Sequence, residues 1–92
     1  MRPVSTSIPD ALATILRKAP LTDEKVSFAW RTAVGPAVDK ATAIELRNGI
    51  LFVRAKDEAW RREVERSAAV VRARLDSLLG KGIVRTIRVE PR

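Results

Sequence analysis

Apolar positions recur every three or four residues in two early stretches, alternate between Ile44 and Lys56, and return to the helical period up to Leu79. The first stretch carries Ile8, Leu12, Ile15, Leu16 and Ala19, a spacing that lays one apolar stripe along a helix. Its start is predicted at Ser7, which with Asp10 three residues on resembles a capping box, and Pro20 ends it. The second presents Val26, Ala29, Trp30 and Ala33. Thr22 is its expected N-cap, Asp23 and Glu24 suit the positive end of the helix dipole, and Leu21 is placed to staple onto Val26. Gly35-Pro36 reads as its stop, with Gly35 taking the left-handed conformation past the last turn. Met1 to Thr6 shows no periodicity and is expected to be disordered.

Asn48-Gly49 lies at the centre of the alternating segment and is the strongest short-range hairpin signal, because a type I′ turn needs positive φ at both central residues. A two-residue loop there pairs Arg47 with Ile50, Leu46 with Leu51, Glu45 with Phe52 and Ile44 with Val53. That register sets Ile44, Leu46, Leu51 and Val53 on one face and turns Phe52 to the other, beside Ile50, Arg47 and Arg54. Asp57 is placed to cap a long third helix reaching about Leu79, roughly 33 Å at 1.5 Å per residue. Its stripe is Trp60, Val64, Ala68, Val71, Leu75 and Leu78. Gly80-Lys81-Gly82 then releases the chain into a final strand over Ile83–Val89 with Ile87 and Val89 inward. Arg85 shares that inward parity, which only a position at the rim of the sheet accommodates.

The expected order is α-α-β-β-α-β in a single α+β domain spanning residues 1–92. A strand–helix–strand unit of this length normally returns to a parallel strand, so the expectation is a three-stranded mixed sheet with helices packed on one face.

Composition narrows the chemistry. Ninety-two residues with 46% hydrophobic and 32% charged positions suit one small globular core, not a two-domain enzyme or a disordered chain. With no Cys and no His, the chain has no thiolate or imidazole metal ligand, Cys nucleophile or His general base. No catalytic residue, metal ligand or cofactor is therefore expected. The longest apolar runs fall well short of the roughly 18 residues a membrane span needs, and no apolar leader opens the sequence. The expectation is a cytoplasmic protein without membrane contact, associated with the nucleoid if DNA is its partner.

The 18 Lys and Arg against 11 Asp and Glu leave a net charge of +7. The excess is uneven: Met1 to Leu46 holds 6 basic and 5 acidic residues, Arg47 to Arg92 holds 12 and 6. A polyanion site is thus expected in the second half. The candidate nucleic-acid contacts are Arg47, Arg54, Lys56, Arg62, Arg66, Lys81 and Arg88. On the long helix, Glu58–Arg62, Arg61–Glu65 and Arg72–Asp76 stand in i,i+4 pairing register, so a solvated face competes there with a phosphate track. Phe52 among arginines on an open sheet face suits stacking of a base or anchoring of a partner protein, with Ile50 beside it; a weak homodimer covering that face is the competing reading. Trp30 and Trp60 are expected in the core, each indole N–H finding a backbone acceptor, while Gly35 and Gly49 serve a helix end and a turn. Gly80-Lys81-Gly82 does not have the form of a phosphate-binding loop.

The string Phe28-x-Trp30-x3-Val34-Gly35, the hairpin Leu46-x2-Gly49-x-Leu51-x-Val53, Ala59-Trp60 with Val64, Leu75-x2-Leu78-Leu79-Gly80 and the closing Val84-x2-Ile87 together resemble the DciA family of bacterial replicative-helicase loaders. The resemblance runs from about Val26 to Val89. It implies a K-homology-like domain and a non-enzymatic DNA-replication factor that binds DNA, single-stranded or forked, and the replicative helicase, assisting helicase loading without hydrolysing ATP. K-homology domains clamp nucleic acid with a Gly-x-x-Gly loop between two helices. This sequence predicts one unbroken helix there, so that grip does not carry over. Many relatives also bear a disordered charged extension that these 92 residues do not contain. From composition alone, an RNA-binding module of ribosome assembly or a pure protein-interaction domain remain the alternatives.

Overall fold

The computed structural model describes residues 10–91. The expected start at Ser7 and the disorder of residues 1–6 lie outside them. Four helices and three strands follow in the order α1 (Asp10–Lys18), α2 (Asp23–Val34), α3 (Pro36–Lys40), β1 (Thr42–Arg47), β2 (Ile50–Ala55), α4 (Glu58–Leu79) and β3 (Thr86–Pro91). The architecture is α+β around a three-stranded mixed sheet ordered β1-β2-β3, with β1–β2 antiparallel and β2–β3 parallel. It is consistent with a small K-homology-like fold.

Local chemistry accounts for most boundaries. The Thr22 hydroxyl accepts from the Lys25 amide at 3.1 Å and the Asp57 carboxylate from the Trp60 amide at 2.9 Å, each satisfying an orphan donor of a first helical turn. Asn48 and Gly49 take φ of 52° and 79°, and the hairpin register pairs Arg47 with Ile50 through Ile44 with Val53, as the turn chemistry demands. Leu51, Val53 and Ala55 are consequently sealed at 0% exposure. Leu51 and Val53 meet α2 through Ala29, Trp30 and Ala33 and α4 through Val64, Val71, Leu75 and Leu78 in one buried cluster.

Five expectations need correction. Gly35-Pro36 stops α2 as expected, but the expected order lacks the short α3, whose first turn Pro36 occupies because a missing N–H is harmless there. The last strand begins at Thr86, because Gly80–Val84 form a turn that buries Val84 and packs Ile83 on the core. Trp30 is 1% exposed, and its indole N–H donates to the Thr42 hydroxyl at 3.0 Å instead of to a carbonyl. That hydroxyl in turn donates to Val38 O at 2.8 Å. Trp60 is only half-buried, one turn ahead of Val64 where α4 first enters the core, and stands outside the buried cluster. Leu21 stays 51% exposed, which leaves no sealed staple against Val26.

One polar residue is buried without any sequence signal. Lys25, 7% exposed, turns its Nζ back to donate to Ala19 O at 2.7 Å and Arg17 O at 3.5 Å. A cation thus closes the carbonyl end of α1, where the helix dipole is negative.

Candidate nucleic-acid and partner interface

Because strand side chains alternate, the register fixes the face opposite the helices as a grid of three rows. Arg47, Ile50 and Thr86 form the row at the hairpin turn, Glu45, Phe52 and Arg88 the middle row, and Ala43, Arg54 and Glu90 the far row. Phe52 is the centre of this face. The Arg47 guanidinium lies 4.6 Å from its ring centroid and that of Arg88 lies 6.0 Å away, so each neighbouring strand brings a cation toward the ring, Arg88 from the same row and Arg47 from the row at the turn. Arg54, expected beside the ring, lines a groove together with Phe52, Glu45 and Glu90.

Two carboxylates, Glu45 and Glu90, also stand on this face. Glu45 pairs with Arg47 at 3.5 Å, both side chains well exposed, and Glu90 stands opposite Arg54 in the ladder. The grid therefore holds three arginines against two glutamates. Positive charge continues past the sheet's open end, where Lys40, Arg54 and Lys56 line one groove and the Lys56 amide is tied to Ala41 O at 2.9 Å. Lys40 escaped notice because it sits at the end of the short α3; Pro at the first position of a helix was the signal that would have placed it.

The remaining cations divide by what they already hold. Arg62 pairs with Glu58 at 3.4 Å and Arg66 with Glu63 at 3.0 Å, while Arg72 approaches Asp76 at 4.0 Å. Arg61 is gripped from both sides, by Glu58 and by Glu65 at 2.8 Å. The hydrogen bond from Arg61, reinforced by the charges of Arg61 and Arg62, draws the Glu58 carboxyl down to about 2. Arg74 donates to Ala33 O at 2.7 Å and Arg17 to Ser77 O at 2.8 Å, so these two fasten helix to helix. Lys81 is exposed in the turn after α4.

The seven candidate contacts thus fall into separate groups. Arg47, Arg54 and Arg88 share the open sheet face with Phe52 and Ile50, and Lys56 adjoins it. Arg62 and Arg66 ride on α4, which packs on the other side of the sheet, and Lys81 stands apart from both. A half-buried aromatic with guanidinium groups beside it, and lysines that hold no carboxylate among the described residues a strand's length away, has the chemistry to stack a planar group and hold phosphates. Among the described residues, no helix is long and apolar enough to cross a membrane.

Comparison with known proteins adds two findings. A family model described as "Dna[CI] antecedent, DciA" matches residues 3–89. A UPF0232 protein of Mycolicibacterium smegmatis is 31% identical over 61 residues, covering 65% of this chain and 31% of that protein. The match therefore spans about a third of the length of that curated relative.

Proposed function

The chain belongs to the DciA family, and on that premise we propose that it acts in DNA replication as a non-enzymatic factor that engages the replicative helicase and assists its loading onto DNA. The family match over residues 3–89 carries this reading. The nucleic-acid half of it is supported by the open sheet face, where Phe52 lies between Arg47 and Arg88 with Arg54, Lys56 and Lys40 leading off one end. In this reading a single-stranded or forked DNA lays a base on Phe52 and Ile50 and its phosphates on the flanking cations. Arg62, Arg66 and Lys81 add long-range attraction, since the first two already hold carboxylates. The soluble phase of the cytoplasm, at the nucleoid, is where such a factor works.

Two measurements test it. Anisotropy with single-stranded and forked oligonucleotides should give micromolar binding at about 50 mM salt that falls steeply as salt rises. No binding at that salt would remove the nucleic-acid half. Co-purification with the replicative helicase after nuclease treatment tests the other half, and a helicase whose loading is indifferent to the protein would overturn it.

A further inference from the structure

On the open sheet face, Ala43 is the smallest of the outward side chains and leaves a gap in the far row. A hollow of about 110 Å³ lies there, lined by Ala43 and Ile44 together with Glu45, Phe52, Arg54 and Glu90. At roughly 10–15 Å³ for each water held, that is space for about eight waters, the scale of one planar ring system. The Arg47 guanidinium comes to Phe52 from the row at the turn, so the side of the ring toward the far row is left to the hollow.

Phosphates do not account for this lining. A carboxylate repels them, yet Glu45 and Glu90 both border the hollow. Glu45 is held by Arg47 at 3.5 Å. Glu90 is half-buried and stands opposite Arg54 in the β2–β3 ladder, but it forms no ion pair with Arg54 or with any other described residue. An ionised carboxylate only accepts hydrogen bonds, and it takes two parallel N–H bonds at once. Stacking on Phe52 is open to any base, because every base has a π-face. The carboxylate is less tolerant. Guanine sets N1–H and N2–H side by side on one edge. Cytosine and adenine each place a lone-pair nitrogen beside the amino group, and thymine flanks N3–H with two carbonyls, so each turns at least one acceptor toward Glu90.

We infer that the hollow is a base-reading subsite for guanine in single-stranded DNA. The base stacks against Phe52, the Glu90 carboxylate accepts from N1–H and N2–H, and Arg54 beside it holds an adjoining phosphate. This preference rests on the sheet face being the DNA surface proposed above.

The test is anisotropy of the full chain at about 50 mM salt. The probes are oligothymidines of about nine nucleotides with guanine, hypoxanthine, cytosine, adenine or a further thymine at the centre. The guanine probe should bind about tenfold more tightly than the all-thymine one, within the range of one bidentate pair. Hypoxanthine stacks as guanine does but lacks the N2 amino group, and should lose most of that gain. Glu90→Gln should erase the preference and bind the all-thymine probe at least as tightly as the unaltered chain does, because a repelling charge is gone. Glu45→Gln should keep the preference, with Trp30 fluorescence reporting in both variants that the fold is intact. Any other central base matching guanine, or a preference that survives Glu90→Gln, would overturn the guanine subsite while leaving the DNA surface standing. No binding of any probe would remove the DNA surface and the subsite together. Displacement of the guanine probe by an equal concentration of free deoxyguanosine monophosphate would assign the hollow to a nucleotide, and so overturn its role in reading DNA.

Discussion

Arg85 lies across Gly49. Its guanidinium fills the space a Cβ at position 49 would need, its Nη2 donates to Asn48 O at 2.6 Å, and its amide donates to Gly49 O at 2.7 Å. Gly49 itself has φ of 79°, so two independent demands fall on one residue, a left-handed backbone and an absent side chain. Gly49→Ala is expected to destabilise the domain by about 1–3 kcal/mol through both. Chemical denaturation of G49A, R85A and the double variant checks it. The double should be less destabilised than the two singles summed, by at least about 0.5 kcal/mol, because without Arg85 only the backbone strain remains.

The same contact explains why Arg85 resisted a sequence reading. Alternation carried from Val89 back to Ile83 gives it inward parity, but the chain turns at Gly80–Val84, and a side chain reaching 37 residues back to a hairpin leaves no trace in periodicity. The hairpin register, by contrast, was legible in full because Asn48-Gly49 fixes it locally. The short α3 was not, since five residues are too few to show a period and Gly35-Pro36 reads equally as a stop and as a start.

Trp30 and Thr42 form a buried relay from α2 through β1 to the Val38 carbonyl of α3. Thr42→Val keeps the shape and removes the acceptor, leaving the indole N–H of a 1% exposed tryptophan without a partner. A loss of about 1–3 kcal/mol is expected, the desolvation penalty of one orphaned donor. Thr42→Ser, which keeps the hydroxyl, should lose clearly less. Urea titrations of the two variants distinguish a hydrogen-bonded role from packing alone.

Glu58 titrates at about 2 when folded, against an ordinary value of 4.5, chiefly because Arg61 donates to its carboxylate. A depressed folded value means that the ionised form favours the native state. This contribution is fully present above about pH 4.5 and is lost as pH falls toward 2. The first turn of α4 should accordingly loosen across that window. Carbon-detected NMR of the Glu58 carboxyl should place its midpoint well below 4.5, and Glu58→Gln should flatten this part of the stability profile while changing little at pH 7 beyond the lost ion pairs. An unshifted midpoint would show that the pair is not maintained in solution.

Strand parity alone was enough to aim Phe52 and Ile50 out of the core, and helical spacing alone identified Glu58–Arg62, Arg61–Glu65 and Arg72–Asp76 as pairs. The i,i+3 pair that occupies Arg66 was missed, as was the pairing of Glu45 with its near neighbour Arg47. Both are rotamer choices made on an exposed surface, where several partners lie within reach. Arg88 reached Phe52 through the parallel β2–β3 register, which no local signal sets.

This sorting of the cations yields the last prediction. Arg54, Lys56 and Lys40 hold no carboxylate among the described residues and converge on one groove, while Arg62 and Arg66 each already hold one. If phosphates bind at the sheet, each of Arg54→Ser and Lys56→Ser should weaken single-stranded DNA binding and lower the log–log salt slope by about 0.7. Arg62→Ser and Arg66→Ser exchange a pre-existing ion pair for nothing and should change the slope by much less. Phe52→Ala should weaken binding by about 1–3 kcal/mol with the salt slope unchanged, the mark of a stacking contact and not a charge contact. Phe52→Leu keeps the apolar volume without the ring, so recovery of affinity by leucine would assign Phe52 to hydrophobic packing and argue against a base-stacking role. Titrations at four or more salt concentrations separate slope from intercept, which a single-condition affinity cannot do.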